Sequence, residues 1–206
     1  MAVVLPGKFI FLAHPHTGSS AMMLGLQDTF PEAMDLRPHH MTLADVHGKP
    51  GAVRIEQIQR QRTKIYDERR PHVGELPSKL FQGNEHVFTI IRNPYDFLVS
   101  CYVRRGQGRQ FEDFVRSYDE DPYIRNGRLY YHFDDCQTVL RHERLQRGLN
   151  ALMMLLNLPT FELGRYNETK DKEPWHTYFT PKAFEIVNER FGLEFNDFYM
   201  MCTDYP

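Results

Sequence analysis

Short apolar runs alternate with polar, turn-rich stretches along this chain. Lys8–Ala13 (KFIFLA) is a run of the kind that forms a strand buried on both faces. HPHTGSS follows, then AMMLGLQDTF, whose apolar spacing predicts a helix capped by Ser19 or Ser20 and ended by Pro31. From Arg37 to about Gly83 the pattern is irregular and polar, with one helix expected around Ala52–Arg69. His86–Ile91 (HVFTII) predicts a second strand. Asn93 then caps a helix with Pro94 in its first position, and DFLVSCYVRR continues at helical spacing. Further helices are expected over Phe111–Ser117, Cys136–Leu156 and Pro181–Phe191, the last preceded by a polar loop from Pro159 to Pro174. Strand, loop and helix, twice over, predict an α/β fold with a central, mainly parallel sheet flanked by helices. Sites in such sheets lie beyond the carboxyl ends of the strands, where both motif loops fall.

Composition narrows the function classes. The 206 residues, with no repeat and no Gly/Ser linker, predict one domain over 1–206. At 13% aromatic content, with no low-complexity tract, the chain is not a disordered segment. No apolar run approaches the ~20 residues that a bilayer demands, and Pro6 and Lys8 break the order of a secretion signal. Neither a membrane nor nucleic acid is expected as a partner, since 25 basic side chains face 27 acidic ones. Cys101, Cys136 and Cys202 are widely spaced and imply neither a disulfide framework nor a metal knuckle, which fits a reducing, cytoplasmic setting.

Chemistry concentrates in two loops. AHPHTGSS (Ala13–Ser20) keeps the second glycine and final hydroxyl of a phosphate loop, as Gly18 and Ser20, but has Ser19 where that loop has lysine. Gly18 permits close backbone approach to an anion, helix N–H groups add positive potential, and Thr17, Ser19 and Ser20 add hydroxyls. The same residues also read as a plain strand-to-helix turn. In RNPYDFLVSCY, Arg92 ends its strand and Ser100 lies about two helical turns on, a fork and a hydroxyl suited to a terminal phosphate. Asp96 is the alternative partner for Arg92. Two anion sites on one sheet edge suit a nucleotide carrying phosphates at two separate positions.

These stretches resemble the sulfotransferase superfamily that uses 3′-phosphoadenosine 5′-phosphosulfate (PAPS). FIFLAHPHTGSSAM is similar to its 5′-phosphosulfate loop and FTIIRNPYDFLVSCY to its 3′-phosphate motif. FEDFV, RHERLQRGLNAL, RYNETK and FNDFYM extend the likeness toward the carbohydrate-type (sulfotransferase family 2-like) branch. The resemblance implies a P-loop-like fold and metal-independent sulfuryl transfer from PAPS to an acceptor hydroxyl, of a glycan or small molecule, leaving 3′,5′-ADP. It implies that Thr17, Gly18, Ser19 and Ser20 hold the 5′-phosphosulfate and Arg92 and Ser100 the 3′-phosphate. His16 stands where the family usually has Lys or Arg, and would act as imidazolium or as a neutral N–H donor. A bound anion is expected to raise its charged fraction. PHHMTLAD (Pro38–Asp45) resembles a segment that carries a base histidine, which makes His40 the candidate general base, with His39, Asp45 and Glu75 behind it. Lys170 and Lys172 of the late loop are candidates to close over the nucleotide, with Arg165, Trp175 and Tyr178 nearby.

Three rival readings stand beside this one. His14, His16, His39, His40 and His47 could gather around zinc, though no HExxH or carboxylate spacing accompanies them. A P-loop kinase is opposed by the absent lysine. A non-catalytic nucleotide- or glycan-binding domain would keep the loops and lose the transfer.

Overall fold

The computed structural model describes residues 2–36, 84–106, 108–118, 136–166 and 172–200. AVVL and FIFL form strands β1 (Ala2–Leu5) and β2 (Phe9–Leu12), every residue of which is buried. The turn between them places Gly7 at φ 68, a left-handed value natural to glycine, and the Gly7 N–H donates to Glu85 Oε1 at 3.1 Å. The sequence pattern predicts only the second of these strands. β1 is a hairpin partner, and Pro6 hides the continuity of the apolar run. Three more strands complete the sheet, β3 (Met34–Leu36), β4 (His86–Ile91) and β5 (Thr138–Arg141), in the order β3-β1-β2-β4-β5. β2, β4 and β5 run parallel, while β1 is antiparallel to both its neighbours. The fold is the expected α/β class, with an antiparallel hairpin added at one side.

The helices are α1 (Ser19–Thr29), α2 (Pro94–Arg105), α3 (Phe111–Arg116), α4 (Leu145–Leu155) and α5 (Pro181–Met200). α2 starts as its sequence predicts: Asn93 Oδ1 accepts from the N–H groups of Tyr95 (3.0 Å) and Asp96 (3.3 Å). Such a cap contributes about 1 kcal/mol. α1 corrects the expectation of a serine cap. Gly18 occupies the N-cap, without a side-chain cap bond, and Ser19 is already helical. The predicted helix over 136–156 is also corrected. Thr138–Arg141 pairs with Phe88–Ile91 as β5, His142–Arg144 makes a single 3₁₀ turn, and α4 begins only at Leu145. β-branched Thr138 and Val139 suit a strand, and the open edge of β4 supplies the partner that overrides helical spacing.

Among the described residues three apolar clusters lie about the sheet, the smallest made by Ala2, Val4, Ile10, Leu12 and Val87 of the strands. Phe9, Phe11, Phe88 and Ile90 pack with Met22, Met23 and Leu26 of α1 and Leu149, Leu152 and Met153 of α4. Phe88 stacks on Phe11 at 5.1 Å and meets Phe9 edge-on at 5.7 Å. Ile91 joins the second cluster, built by Phe97, Leu98, Val99 and Cys101 of α2 with residues of α3 and α5. Burial of each large side chain here stabilises by roughly 1.5–3 kcal/mol. The buried Thr89 hydroxyl donates to Leu12 O at 2.7 Å, fastening the end of β2 to β4. With β5 in parallel register beside β4, three chain segments leave the sheet at one edge: 13–18, 92–93 and 142–144. No described helix is long and apolar enough to cross a membrane.

Candidate functional site

The segment after β2 folds into a tight turn fastened from within. Thr17 is fully buried and its hydroxyl donates to His14 O at 2.8 Å. Thr17 therefore shapes the loop, and its side-chain proton is engaged there. His16 and Gly18 flank it with φ 61 and 82. A left-handed histidine is uncommon, and strain of this kind gathers at functional sites. Left-handed residues set singly along a turn give the backbone the form that gathers N–H groups into an anion-binding concavity. α1 begins at once, with no acidic residue in its first turn, Ser19 buried and Ser20 half-buried. Its N-terminus supplies further partial positive charge.

Arg92 faces this turn. Its Nη1 donates to His16 O at 3.1 Å, while Nε and Nη2 meet Asp96 Oδ2 at 2.6 and 2.5 Å. Lys172, from the late segment, pairs through Nζ with Asp96 Oδ1. Asp96 thus bridges two cations, and all three side chains are partly buried. Burial pushes the Asp96 carboxyl upward, but the Lys172 hydrogen bond and the Arg92 guanidinium outweigh it and leave the group below its ordinary range. Burial also lowers Lys172, against the opposing pull of Asp96. Trp175 stacks on Tyr95 at 4.9 Å, so the late segment is held to the start of α2 twice over.

Ser100 lies on α2, only 2% exposed, on the helix face shared with Asp96 and Phe97 at spacings of four and three. Phe97 meets the rings of His14 (5.6 Å) and His16 (5.8 Å), so this part of α2 is packed against the first loop. Burial, and then Arg104, Arg105, His14 and Arg92, lower His16 to about pKa 3. Of the two forms expected for His16, imidazolium or neutral N–H donor, that surrounding favours the neutral one. At neutral pH the ring is uncharged, leaving the N–H donor role.

Two contributors escape the sequence reading. His142, in the 3₁₀ turn after β5, lies over the glycine turn: a methyl group added to Gly18 would come within 3.1 Å of its Cδ2. Glu143 accepts from the Asn93 N–H at 2.6 Å and ties β5 to the start of α2. Their signal was RHER directly after the β-branched TVLR, which a continuous helix over 136–156 conceals. His40 and Lys170 lie outside the described residues, as do His39, Asp45, Glu75 and the helix expected over 52–69. Among the described residues, no group of three or more His, Cys, Asp or Glu could hold a metal ion.

No protein-family model matches the chain, and no curated protein matches it. Among solved structures, that of mouse sulfotransferase SULT7A1 complexed with PAP is similar, at 15% sequence identity and a TM-score of 0.48, covering 94% of this chain and 89% of that one.

The site thus joins two unlike elements. One is a turn with a helix end beside the neutral His16 ring. The other is a cluster of two cations around one carboxylate, with the guanidinium reaching the turn itself. The two elements lie side by side at one sheet edge, with Arg104 and Arg105 adding positive potential toward His16.

Proposed function

We propose that the chain binds PAPS at this edge and transfers its sulfuryl group to an acceptor hydroxyl, with 3′,5′-ADP as the second product. The observation that carries the reading is the hydrogen bond from Arg92 Nη1 to His16 O, which joins the glycine turn to the Arg92–Asp96–Lys172 cluster. The residue types fit the ligand: a left-handed glycine at a helix start for the 5′-phosphosulfate, and Arg92 with Lys172 for the 3′-phosphate. The two motif resemblances support the same assignment. PAPS supplies an activated S–O bond, and in-line transfer of this type needs positioning and charge stabilisation rather than a covalent enzyme intermediate.

In this reading the N–H groups of Gly18, Ser19 and Ser20 face the charge that grows on the leaving phosphate. Neutral His16 assists as an N–H donor, and Thr17 holds the turn in shape. Ser100 and Arg92 orient the 3′-phosphate, with Lys170 as a further contact. His40 takes the acceptor proton as the base. The carbohydrate-type likeness makes a glycan hydroxyl the leading acceptor. One observation favours a second reading, a nucleotide-binding domain without transfer: His16 is held neutral where a fixed cation would do more for the leaving group. Calorimetric titration with 3′,5′-ADP and 5′-AMP, followed by an assay of sulfuryl transfer from PAPS to a panel of hydroxyl acceptors, tests both. The proposal expects strong preference for 3′,5′-ADP and measurable transfer. Preference without transfer supports the binder, and equal affinities for the two nucleotides oppose both readings.

A further inference from the structure

The nucleotide reading leaves His142 without a part, yet the fold brings it to the centre of the site. β5 is parallel to β4, and its last residue, Arg141, pairs with Ile91 directly before Arg92. His142 therefore leaves the sheet beside Arg92, and its half-buried ring reaches back over the glycine turn. A Cβ on Gly18 would stand 3.1 Å from Cδ2 and 3.5 Å from Nε2 of this ring, an approach that the missing side chain of Gly18 makes possible. The charged groups that face it are Arg92 at the end of β4, Asp96 in the first turn of α2, Lys172 from the late segment and Glu143 beside it.

We propose that His142 contacts the anionic group seated on the glycine turn and favours a terminal dianion over a monoanion. The inference rests on the nucleotide reading above and deepens it, giving the site a charge-selective imidazole that the loop motif does not contain. Burial comes first in holding the free imidazole below its ordinary value, with Arg92 adding to it, so the ring is neutral at rest. An arriving dianion reverses the balance: the ring takes up one proton from solvent and donates a charge-assisted hydrogen bond. No bond within the ligand is made or broken. A 5′-phosphate, whose single phosphoryl group carries both negative charges near neutral pH, is then held more tightly than a 5′-phosphosulfate, whose two charges are divided between the phosphoryl and the terminal sulfuryl group. The ring therefore tightens on the leaving group as its charge develops. His16 cannot substitute, because burial, and after it the surrounding arginines, keep it uncharged.

The test is calorimetric titration of 3′,5′-ADP into the full chain at neutral pH, in two buffers of different ionisation enthalpy, for wild type, His142→Gln and His16→Gln. Wild type and His16→Gln take up a proton on binding. His142→Gln takes up less and loses about tenfold in affinity at about pH 6, with a smaller loss at about pH 8. NMR titration of the wild-type His142 ring, with and without 3′,5′-ADP, reads the same event without a variant and is expected to show its pKa rise on binding. Tight, selective binding with an unmoved His142 pKa and unchanged proton uptake in His142→Gln overturns the role of His142 alone. Failure of wild type to prefer 3′,5′-ADP over 5′-AMP overturns the nucleotide reading and this inference with it.

Discussion

The glycine turn and the Arg92–Asp96–Lys172 cluster lie side by side, yet they hold charge by opposite means. The turn has no fixed side-chain charge of its own: His16 is neutral, Thr17 is bound inward, and what the turn itself supplies comes from backbone dipoles and the start of α1. The cluster is built from full charges that partly cancel, two cations against one carboxylate. A backbone cradle is rigid, and its field is largely insensitive to pH. A side-chain cluster is stronger, but its members must exchange partners when a ligand arrives. The difference separates positioning from recognition, and each element can be broken without first removing the other.

Arg92→Ala is the harshest break, because Arg92 belongs to both elements. It leaves His16 O without its guanidinium donor and Asp96 with Lys172 alone. A loss of about 3 kcal/mol in unfolding free energy is expected, less whatever solvent screening recovers at this partly exposed site. Affinity for 3′,5′-ADP should fall more than about 100-fold by calorimetry. Arg92→Lys separates charge from geometry: it keeps the charge and loses the fork, so it should restore stability better than binding. A variant that binds as well as wild type would detach Arg92 from the ligand.

Mild acid probes the turn through His16, alongside His86 and His142, whose values burial also lowers. His16 has an ordinary value of 6.5 and is lowered to about 3 in the fold, so between those pH values the unfolded chain binds a proton that the folded chain refuses. Stability therefore falls with acidification through that window. The loss reaches no more than about 2 kcal/mol at pH 5, because residual exposure screens the group. Asp96 is lowered as well, but from a carboxylate's ordinary value, so its contribution is lost in a more acidic window. Its lowered value protects the fold above the ordinary carboxylate range, and that protection is lost only on further acidification. Denaturant melts of wild type and His16→Gln between about pH 7 and about pH 4 separate the two, since the variant should lose the upper part of the slope.

Legibility in the sequence follows the range of the interactions. HVFTII-RNP could be read residue by residue because its signals are local: a β-branched run, an Asn cap, and a proline in the first helical turn. Asp96 as the partner of Arg92 is equally local, four residues away. β1 and β5 were not legible, since each is a strand only through a neighbour that the sequence does not place beside it. The pairing of Lys172 with Asp96 spans 76 residues, and the approach of His142 to Gly18 depends on the β5 assignment that helical spacing conceals. Serine at the start of α1 suggested a cap, but the left-handed turn required glycine there, and backbone geometry prevailed over side-chain preference.

Two glycines sharpen the comparison most finely. Gly18 and Gly108 have nearly the same φ, 82 and 86. Alanine at either position adopts a left-handed conformation at a cost of about 1–2 kcal/mol. Their surroundings differ. The added methyl at Gly108 meets nothing within 4 Å, whereas at Gly18 it meets His142 Cδ2 at 3.1 Å and Leu145 Cδ2 at 3.3 Å. Gly108→Ala therefore measures the conformational cost, and the excess at Gly18→Ala, about 1 kcal/mol, measures the close approach of His142 and Leu145. The two variants should differ more in ligand affinity than in stability, because the crowded imidazole at Gly18→Ala is the group that meets the anion. Equal melting shifts together with equal 3′,5′-ADP affinities would mean that the ring swings aside freely, and that the nearness of His142 to the turn has no bearing on what the turn holds.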